Sequence, residues 1–103
     1  MKHMLLTIGA IALFGFVVSV QAAGDAQAGK AKAGACAGCH GANGEGVKPN
    51  PVLAGRPESE IVQSLTDYKS GKRTNPIMKT FASQLSDQDM ANLGAYYASL
   101  KAK

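Results

Sequence analysis

The sequence predicts a small all-α domain. Three observations carry that prediction: capped stretches with apolar residues at helical spacing, glycine- and proline-rich breaks between them, and no alternating period-two run long enough to pair as a sheet. With 103 residues, 46% hydrophobic and 17% charged, the chain has room for one domain, and no stretch of it has a disordered composition.

Three helical segments follow one another. From Asp25 to about Ala35, "DAQAGKAKAGA" is alanine-rich behind an aspartate able to cap it. The segment "PESEIVQSLTDYKSG" begins with Pro57 at a first-turn position, followed by acids in that turn. It carries Ile61, Leu65 and Tyr68 on one face and stops at Gly71. In "SDQDMANLGAYYASLK", Ser86 stands three residues before Asp89, a capping-box pattern, and Met90, Leu93, Tyr96, Tyr97 and Leu100 are expected to point inward.

The N-terminus reads as a targeting segment. Lys2 and His3 precede an uncharged apolar run from Met4 to Val20, and "VQA" puts small residues at the minus-three and minus-one places that a signal peptidase reads. The run falls a little short of the roughly 20 residues that span a bilayer comfortably. The expectation is cleavage after Ala22, export to the periplasm, and a domain over residues 23–103. An uncleaved membrane anchor is the competing reading.

That domain has little of its own to bury. A chain of ~80 residues hides only ~60–65% of its unfolded surface, and the first helix offers mostly Ala and Gly. The chain has no Trp, and loss of the leader would leave Phe81 as the only Phe. Something other than side chains is expected to fill the centre.

The stretch "AGACAGCHGANG" supplies a candidate. Cys36-Ala37-Gly38-Cys39-His40 is C-x-x-C-H, the attachment sequence for c-type haem: two thiols add to the haem vinyl groups and the adjoining imidazole ligates iron. Three positions along a helix separate the thiols by about one turn, which suits vinyls on neighbouring pyrroles. A zinc site would want another Cys or His, and the chain's only other His is His3 in the leader. A thioredoxin-like pair belongs in a βαβ context that this chain lacks, and a plain disulfide leaves His40 unexplained.

The chain resembles a small bacterial monohaem class I cytochrome c. The likeness is carried by "GDAQAGKAKAGACAGCHGANGEG", "PVLAGRP", "GKRTNPIM" and "LSDQDMANLGAYYASL", in that order. It implies that haem c is wrapped by three or more short helices, and that a Met from a downstream loop reaches the iron opposite His40. "NPIM" makes that residue Met78, in a segment expected to be irregular, whereas Met90 sits at the helical spacing of a core residue. The resemblance further implies that the Pro51 carbonyl accepts from the other imidazole nitrogen and that Leu53 packs on the haem. It also implies that Gly29 lets Tyr96 approach where the first and last helices cross. Gly41 and Gly44 are expected in tight turns beside the ring. Arg56 and Arg73 flank the middle helix and are candidates for the haem propionates.

Two strong axial ligands leave no place for a substrate, so the function expected is one-electron carriage between donor and acceptor proteins, not catalysis. Electrons would pass between a dehydrogenase or membrane complex and an oxidase or reductase. A peroxidase-like enzyme or gas sensor with a displaceable sixth ligand is the alternative, and a colourless thiol oxidoreductase is a third. The net charge of +4 falls to about +3 without Lys2, too little for strong steering. Lys69, Lys72, Arg73 and Lys79 cluster around the methionine segment and could dock an acidic partner. Nucleic acid is not an expected partner, membrane contact would be transient, and the protein is expected to be a monomer.

Overall fold

The computed structural model describes residues 23–101. The leader and its cleavage after Ala22 therefore lie outside the described residues. Five helices follow in order: α1 (Ala26–Lys32), α2 (Gly34–His40), α3 (Glu58–Ser70), α4 (Pro76–Ser83) and α5 (Asp87–Ser99). Among the described residues there is no strand, only an isolated bridge between Val47 and Asn50. No helix of the described residues is long and apolar enough to cross a membrane.

Helices α1, α4 and α5 begin where a side chain caps the first turn, α3 begins at a proline, and α2 follows Ala33 with no side-chain cap. The Asp25 carboxylate accepts from the backbone of Gln27 and Ala28, and Lys30 and Lys32 complement the negative end of α1. Pro57 stands at the N-cap of α3, with Glu58 and Glu60 in the first turn, and Gly71 closes the helix in the left-handed region at φ 86°. Ser86 and Asp89 form the expected capping box of α5, with reciprocal bonds of 3.0 Å. Those bonds to Ser86, aided by Lys32 at 3.5 Å, hold the Asp89 carboxyl below the usual aspartate range.

Two helices depart from the sequence expectation. The first segment divides at Ala33, which keeps a helical backbone (φ −67°, ψ −11°) while the chain passes into a second short helix. The methionine segment, expected to be irregular, is the two-turn helix α4. Its N-cap Asn75 accepts from the backbone of Ile77 and Met78 at 3.1 Å each, and Pro76 occupies the first turn, where its missing N–H costs nothing.

Helix α5 is the centre of the domain, with α1 and α3 packed on it and α4 packed chiefly on α3. The buried core is small: Ala33, Ile61, Leu65, Met90, Leu93 and Tyr97. Tyr96 and Leu100, expected inward, are half-buried at its margin. The α1–α5 crossing is tight because Gly29 has no side chain. A Cβ there would stand 2.0 Å from the Asn92 carbonyl oxygen and 2.8 Å from Tyr96 Cβ. The closest approach is thus to the backbone at Asn92, with Tyr96 second. Gly29→Val must push backbone atoms apart, so we expect a loss on the order of 3 kcal/mol. That corresponds to a fall in melting midpoint of about 10 °C or more. An unchanged midpoint would refute the contact.

Candidate haem site

The site starts from the end of α2. Its last turn brings Cys36, Cys39 and His40 to the wall of a cavity of about 260 Å³, which Ile61, Leu65 and Leu93 also line. Gly41 ends the helix at φ 93°, a conformation open to glycine, and the chain doubles back so that Gly46 donates to the His40 carbonyl at 2.7 Å. Gly44, at φ 66°, lies against Tyr97: a Cβ there would stand 2.8 Å from the ring. Its carbonyl accepts from Leu53 (2.8 Å) and Ala54 (3.0 Å), and Gly55 donates to the Tyr97 carbonyl at 2.8 Å. These bonds seat the loop carrying Pro51 and Leu53 on α5.

Within that frame His40 is buried, and its Nδ1 lies 2.9 Å from the Pro51 carbonyl oxygen. A carbonyl can only accept, so Nδ1 carries a proton, and Nε2 is the ring nitrogen left for a metal. Cys36 and Cys39 form no disulfide with each other. Burial pushes the Cys36 thiol up, a hydrogen bond with the Tyr97 hydroxyl opposes this, and the nearby Cys39 adds to the rise. Burial, then Cys36, raises the Tyr97 hydroxyl far above its ordinary value.

Helices α3 and α4 supply the rest of the wall. Met78 lines the cavity, while Met90 does not: it is 1% exposed, packed in the core with the Thr66 hydroxyl 3.6 Å from its sulfur. Pro51, Leu53, Arg56 and Arg73 all reach the same cavity. Arg56 is already engaged by Glu60 at 2.6 Å and by the Val52 carbonyl. Arg73 lies 4.6 Å over the Tyr68 ring and donates to the Ser64 hydroxyl at 3.2 Å. Lys69, grouped by sequence with the basic cluster, donates instead to the Leu85 carbonyl at 2.6 Å and ties α3 to the link between α4 and α5.

Several wall residues escaped the sequence reading. Asn50, Ser64, Asn75 and Phe81 line the cavity, as do Tyr68 and Tyr97, which had been assigned only to helix faces. Asn75-Pro76 did carry a signal, since Asn before Pro is a helix start as well as a turn.

The donor set fits a broad ring. Among the described residues no three of His, Cys, Asp or Glu converge where a bare metal ion could be held. Two thiols, an imidazole with one nitrogen free and a thioether are instead distributed around one largely apolar cleft. A helical domain closed on such a cleft belongs to the class of haem-binding proteins.

Comparisons with known proteins agree. The family model described as Cytochrome c matches residues 26–101. The cytochrome c4 of Pseudomonas aeruginosa is 46% identical over 99 residues, covering 95% of this chain and 46% of that protein. Cytochrome c-554(548) of Halomonas halodenitrificans is 41% identical over 81 residues, covering 75% of this chain and 98% of that protein. The cytochrome c4 structure of Acidithiobacillus ferrooxidans, described as supporting a complex-induced tuning of electron transfer, superposes with a TM-score of 0.73 at 34% identity. It covers 76% of this chain and 51% of that one. The chain spans about half the length of the cytochrome c4 relatives it matches. It belongs to the cytochrome c family. Its cofactor is haem c with iron, bound covalently, and Cys36 and Cys39 are the thiols of its C-x-x-C-H motif.

Proposed function

We propose that this domain is a one-electron carrier whose iron is ligated by His40 and Met78. The observation that carries the reading is that Met78, from α4, shares one cavity with Cys36, Cys39 and His40 from α2, whereas Met90 is sealed in the core. Bound haem supplies the one-electron iron couple, and imidazole with thioether favours the ferrous state. The chain's own residues do the rest. Pro51 orients the His40 ring, the Asn75 cap holds the backbone of Met78, and Leu53, Ile61 and Leu65 keep water from the buried face. Of the two arginines, Arg73 is the better partner for a propionate, because its neighbours Ser64 and Tyr68 are uncharged while Arg56 is paired with Glu60.

The leader pattern at residues 1–22 supports export, cleavage after Ala22 and work in the periplasm. The partners are a donor and an acceptor redox protein, met transiently and without nucleic acid, at a membrane complex or in solution. Lys72 and Arg73, just before α4, and Lys79, on it, supply positive charge for that contact. The domain acts as a monomer in this reading. An absorption spectrum of the haem-loaded protein tests it. We expect a low-spin spectrum in both redox states and no rapid binding of carbon monoxide. A high-spin spectrum with fast carbon monoxide binding would replace the carrier with the peroxidase or gas-sensor alternative.

A further inference from the structure

Two successive loop residues grip two successive residues of α2. Asn50 Nδ2 donates to the Cys39 carbonyl at 2.9 Å, and the Pro51 carbonyl accepts from His40 Nδ1 at 2.9 Å, each across a separation of 11 residues. The Cys39 carbonyl belongs to the last turn of α2, where a helix has no N–H of its own left to offer. Asn50 is itself held at the backbone, since its N–H donates to the Val47 carbonyl at 2.8 Å. It stands between Pro49 and Pro51, and the following proline confines its backbone to extended conformations, so little slack separates its amide from the Pro51 carbonyl.

We propose that Asn50 is a positioning residue for the His40 ring and, through it, for the iron. The inference rests on His40 being an iron ligand. The Pro51 carbonyl lies one residue beyond Asn50, across the fixed φ of the proline ring, so the amide bond to Cys39 holds that carbonyl at bonding distance from Nδ1. Without it the loop has a single side-chain contact with α2 at this point, water competes for Nδ1–H, and the imidazole donates less electron density to the metal. Removing partners of this kind typically costs about 10–100-fold in metal affinity or activity. A less basic imidazole shifts the couple toward ferrous iron.

The test uses the haem-loaded protein with Asn50→Leu, similar in volume but without a donor. Ser86→Ala, which removes the cap of α5 away from the cavity, serves as the destabilised control. Two quantities are read: solvent exchange of the His40 ring proton in ferrous protein by NMR, and the ferrous-to-ferric ratio against a redox dye. We expect Asn50→Leu to speed exchange about tenfold or more and to raise the ferrous-to-ferric ratio about threefold. Ser86→Ala should lower the melting midpoint and change neither. Asn50→Ala is read the same way if the leucine variant does not accumulate. Unchanged exchange and ratio in the Asn50 variant, or equal changes in the Ser86 variant, would overturn the proposal. If the wild-type His40 ring lacks the signal shifts of an iron-bound imidazole, the ligation reading fails instead and this inference falls with it.

Discussion

Cys36→Ala combined with Cys39→Ala should give a chain without cooperative helical structure, because the covalent anchor of the core is gone. The described domain closes around a cavity of about 260 Å³ lined by Ile61, Leu65, Leu93 and Tyr97, which are also most of its hydrophobic core. At about 24 cal/mol per Å³ the empty space costs on the order of 6 kcal/mol, an upper figure because water can enter an open cleft. Whole domains are stable by only roughly 5–15 kcal/mol, and one this small sits low in that range. Far-ultraviolet circular dichroism with thermal melting checks the expectation. A double variant that melts cooperatively as a helical bundle would refute it.

Met78→Ala should leave the haem attached and change its electronic state. Attachment uses Cys36 and Cys39 on α2, whereas Met78 is on α4, so mass spectrometry should show the cofactor retained. The sixth position then opens to carbon monoxide or to a neighbouring amine such as Lys79. The reduction potential should fall by on the order of a quarter of the ~0.8 V that axial ligands span. Met90→Leu should keep the spectrum and potential, costing less than ~1.5 kcal/mol as a swap of similar volume. An unshifted potential in Met78→Ala, with loss of the low-spin spectrum in Met90→Leu, would reverse the ligand assignment.

Much of this molecule is legible in its residues, and the misses have physical causes. C-x-x-C-H is a local pattern whose chemistry lies in its spacing, so haem attachment needed no tertiary information. The ends of α3 and α5 were also local, written in Gly71 and in the Ser86–Asp89 box. The break at Ala33 was not: its backbone stays helical, and no proline or left-handed glycine marks the division. Helix α4 was missed because Asn-Pro serves turns and helix starts alike, and only the bonds from Ile77 and Met78 to Asn75 decide between them. The roles of Tyr97, Tyr68 and Ser64 depend on how distant helices meet. Periodicity places such residues on a face but does not say which of them reaches a shared cavity.

The tight crossing of α1 and α5 also bears on how the chain finds its fold. Asp25 and Asn92, hydrogen-bonded at 2.8 Å, are 67 residues apart, and closing so long a loop costs an unfolded chain about 4 kcal/mol in entropy. The crossing returns that cost only when Gly29 and the backbone at Asn92 are already in register, so partial closure gains little. A rigid apolar group tethered at Cys36 and Cys39, four and seven residues beyond the end of α1, offers Leu93 and Tyr97 of α5 a broad surface before any such register exists. The cofactor thereby biases the search for native topology, giving the two ends of the domain a common landing place.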